Sequence, residues 1–307
     1  MKLFIFILII SFLSPVLQAK KLYKYKDSKG LWHFSDKPPV AETDQIIEVR
    51  QLKAAKKRYV WLEKRGNKQK SEYFVINNYK APIEIKFSLS KLNNAISKPA
   101  LPKRFIVAPG QSKILFKVIP FNKFKSWGYS LKYVYIIGSP LASYDENTVY
   151  LPPFEKGRSF LITQAFGGKF SHTDKQNKYA VDLAMPLNTP IYAARTGVVI
   201  EVNNDFFKGG TTQFYKTRAN SIRILHEDGS MAVYAHLAVD TAQVYPGLKV
   251  YAGQLIGSSG NTGFSSGPHL HFAVQLNKGM ELVSVPFKFT QANGSTNTPV
   301  AGSMLSN

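Results

Sequence analysis

The sequence of 307 residues contains no cysteine and few acidic residues. Without cysteine the chain forms no disulfide and offers no site for lipoprotein acylation, so its buried cores alone must stabilise it. Lys and Arg number 40 against 19 Asp and Glu, which gives a net charge of +21. A field of this sign favours polyanionic partners, of which nucleic acid and the anionic polymers of a cell envelope are the two main classes.

Long hydrophobic runs are also missing. The apolar run at residues 3–13 follows Lys2 and is too short to span a bilayer. A charged start, a short apolar stretch and a small residue, Ala19, are typical of a secretory signal peptide, so we predict cleavage after residue 19 and no integral membrane span thereafter. An uncleaved anchor is the alternative. Export, together with the lack of any nucleic-acid-binding motif, argues against a nucleic-acid partner and favours anionic cell-envelope polymers.

The rest of the sequence predicts an all-β chain. Two aromatic-rich strands around an Asp-Ser-Lys-Gly turn predict a small hairpin domain at residues 20–50. Residues 59–145 contain evenly spaced strand patterns, including a strictly alternating run at 83–89, and predict a β-sandwich-like domain. A further domain is predicted at 150–288, and the low-complexity tail at 289–307 is expected to be disordered.

Four of the six histidines lie in two short segments, at residues 226–236 and 269–271. Residues 269–276 alternate strictly, so His269 and His271 share one face of a strand and apolar side chains occupy the other face. Imidazole is the commonest metal-ligating side chain and can act as a general base near neutral pH. Two of them side by side on a strand indicate a functional site.

Three more residues are candidates for the same site. His236 ends a second alternating strand, which a turn at residues 228–229 joins to the strand before it. His172 follows a glycine-rich loop, and Asp182 lies within an apolar strand, where a carboxylate needs a cation or a metal to stay ionised. Two imidazoles and one carboxylate are a common ligand set for catalytic zinc, with one position left open for water.

These residues, in this order, resemble a known family. His172, Asp182, the sequence Tyr-Ala-His-Leu at 234–237 and the sequence His-Leu-His at 269–271 are similar to the motif set of the lysostaphin-like (LytM-type) zinc metalloendopeptidases, which cut peptides in bacterial cell walls. Several glycines agree as well, and the resemblance covers roughly residues 160–287. The N-terminal hairpin resembles a small domain of unknown function found at the start of many exported proteins of Gram-negative bacteria.

The resemblance implies a role for each of the five polar residues. His172, Asp182 and His271 would bind one Zn²⁺ ion per chain, and His236 and His269 would be catalytic histidines that do not bind it. This sequence departs from the family at one point. The shortest family pattern places the aspartate four residues after the first histidine, whereas here they are ten residues apart, so a polar loop is expected between the two ligands.

The implied architecture is a C-terminal LytM-type antiparallel β-sheet peptidase domain, preceded by a small β-sandwich-like domain and an N-terminal β-hairpin. The implied function is that of an exported zinc metalloendopeptidase, a peptidoglycan hydrolase that cuts peptide cross-links with a zinc-activated water. Of His236 and His269, one would take the proton of that water and the other would hydrogen-bond the developing oxyanion. The expected location is the periplasm or cell envelope of a Gram-negative bacterium, or the surrounding medium.

Two other functions are open at this stage. A LytM-type protein can be non-catalytic and bind the wall or activate an amidase, but such relatives typically lack ligands and all five positions are filled here. An iron oxygenase uses the same two-His, one-carboxylate ligand set, but an exported protein has poor access to Fe(II). The remaining two histidines, His33 and His226, have no partner motif and are interpreted as ordinary hydrogen-bonded residues.

Overall fold

The computed structural model describes residues 20–26, 31–35, 45–52, 58–67 and 69–307. Regular structure in this part of the chain consists of β-strands apart from one 3₁₀ turn at Gln213–Tyr215, which confirms the all-β prediction. The described residues include no helical segment with the length and hydropathy that a membrane crossing requires. The signal peptide predicted at residues 1–19 lies outside the described residues.

The chain divides into two compact units, residues 1–57 and 58–307. Three strands form an antiparallel sheet in the first unit: β1 Lys20–Lys26, β2 Trp32–Ser35 and β3 Gln45–Leu52. The expected hairpin is present, because β1 pairs with β2 and Lys26 lies opposite Trp32. His33 stacks on Tyr25 across this hairpin at a centroid distance of 5.3 Å. Strand β3 pairs with the other side of β1 and adds a strand that the hairpin prediction did not include.

Two sheets with one shared core form the first part of the second unit. Their strands are β4 Val60–Asn67, β5 Lys70–Asn77, β6 Ile83–Asn93, β7 Ala95–Lys98, β8 Lys103–Val107, β9 Gly110–Gln111, β10 Phe116–Pro120 and β11 Gly128–Ile137. One sheet has the order β4-β5-β10-β7, with β9 beside β5, and the other has the order β11-β6-β8. The alternating run at 83–89 buries Ile83, Ile85 and Phe87 completely in the shared core, as a sandwich requires.

The second part of this unit has sixteen strands, nine of which form one large sheet. Its strands are β12 Val149–Tyr150, β13 Ser159–Gln164, β14 Val181–Ala184, β15 Pro190–Tyr192, β16 Gly197–Asn203, β17 Gly209–Gly210, β18 Ser221–Leu225, β19 Met231–Ala235, β20 Lys249–Val250, β21 Leu255–Ser258, β22 Gly263–Phe264, β23 His269–Asn277, β24 Leu282–Ser284, β25 Lys288–Thr290, β26 Thr296–Asn297 and β27 Met304–Ser306. The large sheet has the order β20-β16-β18-β19-β23-β14-β13-β27, with β24 beside β23.

Strand β23 is central to this sheet, where it lies between β19 and β14. Leu270, Phe272 and Val274 are fully buried in the main core, as the alternating pattern predicts. The predicted hairpin of β18 and β19 pairs antiparallel, with Leu225 opposite Met231. Its second strand lies directly beside β23, which brings the two histidine-bearing segments together.

The sandwich packs directly on the large sheet. Ala81 shares an apolar cluster with Met231. Glu84 occupies a polar position of the alternating run, yet it is only 3% exposed. Its carboxylate accepts hydrogen bonds from Asn277 Nδ2 at 3.1 Å and from the Met280 N–H at 2.7 Å. A buried carboxylate is costly unless hydrogen bonds satisfy its oxygens, so these bonds couple the sandwich to the sheet within one compact unit.

The C-terminal tail differs from the expectation of disorder at 289–307. Strand β27 pairs with β13 and extends the large sheet, with Phe160 opposite Leu305. The side chain of Leu305 is 1% exposed and belongs to the main core. Composition reports the average polarity of a segment, and a few buried apolar side chains such as Phe289 and Leu305 hardly change the average of a polar tail. The sheet therefore continues beyond residue 288, where the domain was expected to end.

His226 follows β18 and is buried against the core, 3% exposed. Its Nδ1 lies 2.8 Å from the carbonyl oxygen of Thr196, and its ring meets Tyr150 edge-on at 5.6 Å. Its Nε2 has no hydrogen-bond partner among the described residues. Burial, with a smaller contribution from the charge of Arg195, lowers the pKa of His226 to about 4, against the opposing effects of Thr196 and Asp228.

We expect His226 to weaken the fold in acid. Its pKa falls from an ordinary value of 6.5 to about 4 on folding, so the unfolded chain binds the proton first as the pH drops. The free energy of unfolding that depends on the neutral His226 ring is fully present above the unfolded-state pKa. It is lost as the pH falls through the folded-state pKa, and the total loss is about 3 kcal/mol. His226→Gln cannot ionise, so relative to the wild type it should gain about 3 kcal/mol in unfolding free energy between neutral pH and pH ~4. Denaturant unfolding across this range measures the difference, and a gap that does not change with pH would contradict the expectation.

Candidate metal centre and catalytic site

The five residues selected from the sequence meet at one cleft of about 920 Å³. Asp182, His236, His269 and His271 line it. His172 is fully buried and touches Asp182, with its Nε2 3.2 Å from Oδ1 of the carboxylate. Residues separated by up to about a hundred positions in the sequence therefore form one cluster.

Strand register explains why these side chains meet. In the pairing of β14 with β23, Asp182 lies opposite His271 and Ala184 lies opposite His269. On the other side of β23, Ala235 lies opposite His271, so His236 follows at the end of β19. Directly opposed residues on neighbouring strands place their side chains on the same face of the sheet. The Asp182 carboxylate and the imidazoles of His269 and His271 therefore converge on the cleft.

His236 departs from the strand that carries it. Its φ is 63°, in the left-handed region that few residues other than glycine adopt. This turn places its ring 4.5 Å from the ring of His269. His236 Nδ1 lies 2.7 Å from the carbonyl oxygen of Thr262, and His269 Nδ1 lies 2.8 Å from that of Gly267. A carbonyl can only accept, so each Nδ1 carries a proton, and Nε2 of each neutral ring is left as an acceptor.

Three ligand atoms form a tight group beside this pair. Asp182 Oδ1 lies 3.2 Å from His172 Nε2 and 2.9 Å from His271 Nδ1. All three atoms lie within 4.8 Å of one another. Among the described residues this is the group of histidine and carboxylate side chains with the spacing of a metal site.

The outer hydrogen bonds of the group determine which nitrogen faces the carboxylate. His172 Nδ1 donates to the carbonyl oxygen of Ala165 at 2.9 Å, and His271 Nε2 donates to Asn177 Oδ1 at 3.2 Å. In a neutral ring the other nitrogen is then unprotonated, so both rings direct a lone pair at Asp182. Three acceptors that face one another repel unless they share a cation, which is the arrangement of a metal site with oriented ligands.

The pKa values of Asp182, His172, His236 and His269 separate these four residues into two kinds. Burial raises the pKa of Asp182, but the hydrogen bonds that His172 and His271 can donate when their rings are protonated on both nitrogens outweigh burial and hold that pKa far below its usual range. Burial lowers the pKa of His172, but Asp182 outweighs it and the pKa lies above its ordinary value. Burial and the charges of its neighbours lower the pKa of His236 to about 3, and burial lowers that of His269. The environment of Asp182 and His172 therefore favours a bound cation, whereas His236 and His269 stay neutral.

The expected loop between His172 and Asp182 folds back on itself. Asp174 Oδ1 accepts the backbone N–H groups of Gln176 at 2.8 Å and of Asn177 at 3.1 Å. The loop then lies along β23, where the carbonyl oxygen of Gln176 accepts a hydrogen bond from Gln275 Nε2 at 2.9 Å. The ten-residue separation is therefore compatible with direct contact between the two ends.

Sequence reasoning did not select two residues that contact the centre. Gln164 Nε2 donates to Asp182 Oδ2 at 2.8 Å, and Asn177 holds His271. Gln164 ends β13, directly opposite Asp182 on β14. An amide among polar loop and strand-end residues carries no pattern of its own, so only the strand register could have identified Gln164.

Aromatic side chains form one rim of the cleft. Phe170 stacks on Phe264 with a centroid distance of 5.9 Å, and both line the cleft. Lys216 Nζ lies 5.8 Å from the ring centroid of Phe264. Phe170 is 62% exposed, so this rim offers an apolar surface to a bound chain.

Comparison with family models gave two matches. Residues 176–282 match Peptidase family M23, and residues 9–60 match the domain of unknown function DUF4124. The first match includes Asp182, His236, His269 and His271, and it begins four residues after His172.

Comparison with individual proteins gave relatives that are similar over part of this chain. The peptidoglycan DD-endopeptidase ShyA of Vibrio cholerae is 41% identical over 91 residues, which are 30% of this chain and 18% of ShyA. The glycyl-glycine endopeptidase ALE-1 of Staphylococcus capitis is 34% identical over 126 residues, 40% of this chain and 32% of ALE-1. The solved catalytic domain of lysostaphin from Staphylococcus simulans is 28% identical, covers 39% of this chain and 80% of that domain, and has a TM-score of 0.29. This chain spans at most about a third of the length of these curated relatives.

Proposed function

We propose that this protein is a zinc metalloendopeptidase of the LytM type that hydrolyses the peptide cross-links of peptidoglycan, because residues 176–282 match Peptidase family M23. One observation carries the proposal: three acceptor atoms converge beside two neutral imidazoles in one open cleft. A binding protein needs no such combination, whereas hydrolysis of a peptide bond needs both an electrophile and a proton acceptor.

His172, Asp182 and His271 would hold the metal. Two ring nitrogens and one carboxylate oxygen are a donor set that zinc prefers, and oxygen acceptors orient both rings from outside. A zinc ion bound there supplies a Lewis acid and acidifies a bound water. Gln164 would keep the second oxygen of Asp182 occupied, so that the first oxygen is directed at the ion.

His236 and His269 would handle the proton. Each ring is anchored through Nδ1 to a backbone carbonyl, which leaves Nε2 free to accept. Low pKa values keep both rings neutral near pH ~7, the form that a general base requires. His269 Nε2 lies 3.8 Å from Asp182, whose negative charge would stabilise the protonated ring. We therefore assign proton abstraction to His269 and the support of developing charge to His236.

The substrate would be a peptide of the bacterial wall. Phe170 and Phe264 give the cleft an apolar rim on which a peptide can pack. A DUF4124 match and the likeness to ShyA support the direct cross-link of a Gram-negative wall and export to the periplasm. The net charge of +21 supports attraction to anionic envelope polymers.

We expect the purified protein to release peptide-linked fragments from purified peptidoglycan while the glycan strands stay intact. Removal of metal with a chelator should stop the release, and added zinc should restore it, because the Lewis acid is essential to attack on an amide. Mass spectrometry of the fragments identifies the bond that is cut. Release that survives chelation, or cuts in the glycan, would contradict the proposal.

The ligand assignment predicts that His271→Ala and Asp182→Ala lose both bound zinc and activity. Each change removes one of three protein ligands and leaves the remaining acceptors without a balanced cation site. Metal content by emission spectroscopy measures the loss, and circular dichroism checks the fold. His226→Gln is the matched control, because that buried histidine lies outside the cleft and should keep its zinc. Near-stoichiometric zinc in a folded His271→Ala protein would contradict the ligand assignment.

The catalytic assignment predicts a different outcome for His269→Ala and His236→Ala. Both variants should keep zinc and fold, and both should lose ~10²–10⁴-fold in turnover, the usual contribution of a general acid or base. If the two rings act as one unit, the double variant should lose far less turnover than the product of the two single losses. Zinc content and cleavage rate are measured for each variant. If His269→Ala loses zinc while His271→Ala retains it, the roles on β23 are reversed.

A further inference from the structure

One end of the sandwich presents large apolar side chains to solvent. It consists of the segment at 91–94, where β6 ends, and the loop at 121–127, and we call it the sandwich tip. Phe124 is 99% exposed, Phe121 is 78% exposed and Leu92 is 57% exposed. Two phenylalanines this exposed, three positions apart in one short loop, do not contribute to a core, so their unfavourable exposure to water points to a partner.

Hydrogen bonds hold the tip in this shape. Asn94, with a φ of 45°, donates from Nδ2 to the carbonyl oxygens of Asn122 at 2.8 Å, Lys125 at 3.2 Å and Ser126 at 3.2 Å. Its Oδ1 accepts the Asn122 N–H at 2.8 Å, and its carbonyl oxygen accepts the Phe121 N–H at 3.0 Å. One asparagine thus satisfies several backbone groups of the loop. Because the loop is fixed in this way, the phenylalanine rings are held outward.

The charges of the tip all have one sign. Lys91, Lys123 and Lys125 are exposed and lie between or beside the apolar side chains. The whole stretch at 85–144 contains ten Lys and Arg residues and no Asp or Glu. No acidic residue of this stretch can therefore neutralise the tip, and its field attracts an anionic surface.

We propose that the sandwich tip binds the surface of an anionic phospholipid bilayer. Phe121 and Phe124 would enter the boundary between headgroups and acyl chains, and the three lysines would contact lipid phosphates. A glycan strand fits less well, because phenylalanine has no polar atom to bond the hydroxyl groups of a sugar. The sandwich and the large sheet form one compact unit, so this contact would hold the cleft at the membrane face. The proposal does not depend on the proposed peptidase activity.

The test is co-sedimentation of the purified full-length chain with vesicles. One set contains phosphatidylglycerol in phosphatidylcholine, and the other contains phosphatidylcholine alone. The variants are Phe121→Ser with Phe124→Ser, and Lys123→Ser with Lys125→Ser. The control is Leu141→Ser, which removes an apolar side chain that is 78% exposed outside the tip. All proteins share the same N-terminus, so any binding by residues 1–19 is common to them.

We expect the wild type to bind anionic vesicles at least about tenfold more tightly than neutral ones, and the Phe pair to lose about tenfold or more in affinity for anionic vesicles. The Lys pair should bind anionic vesicles more weakly and lose most of its salt dependence, and Leu141→Ser should match the wild type. Equal binding by the Phe pair and the wild type would overturn the proposal. A parallel arm uses insoluble peptidoglycan. If the Phe pair loses affinity for peptidoglycan but keeps it for vesicles, the tip is a wall-binding surface and the membrane proposal is wrong.

Discussion

The buried carboxylate of Asp182 is the constraint on which the C-terminal part of the molecule depends. A charge only 7% exposed is stable in this sheet because two imidazoles and the Gln164 amide surround it. Those partners come from β13, β23 and the loop before β14, so the carboxylate is satisfied only when all three are in their observed positions. A slip of one residue between β14 and β23 would send Asp182 to the opposite face. The strand register that forms this sheet is therefore also the register that assembles the site.

The same sheet produces two electrostatic environments a few ångströms apart. Backbone and amide oxygens behind His172 and His271 direct their free nitrogens towards a negative charge, which favours a bound cation. Carbonyls behind His236 and His269 also set the tautomer, but these rings lie farther from the carboxylate and their pKa values are lowered by burial. Histidines that look alike in sequence thus acquire different chemistry, because the protein decides which nitrogen carries the proton and how close each ring comes to Asp182.

The sandwich is more than a spacer, since it is joined to the sheet by buried polar contacts as well as by apolar packing. Glu84 bonds to Asn277 and Met280 across the junction, and Arg104 lies 3.6 Å from the same carboxylate. A buried carboxylate that is satisfied from both sides resists relative motion of the two parts. Whatever surface the sandwich contacts is therefore coupled mechanically to the position of the cleft.

Local patterns in the sequence were enough to predict the all-β class, the hairpin of β18 and β19 and the shared face of His269 and His271 on β23, because each depends on the period of two along a strand. The grouping of His172, Asp182 and His236 with these two histidines came from the resemblance of the motifs to a known family. Tertiary structure alone decided the rest. The convergence of His172 with Asp182 across ten residues, the contacts of Gln164 and Asn177, the burial of Glu84 and the pairing of β27 all depend on which distant segments become neighbours. Long-range pairing is selected by the satisfaction of buried polar groups and by core packing over the whole unit, and neither leaves a local period in the sequence.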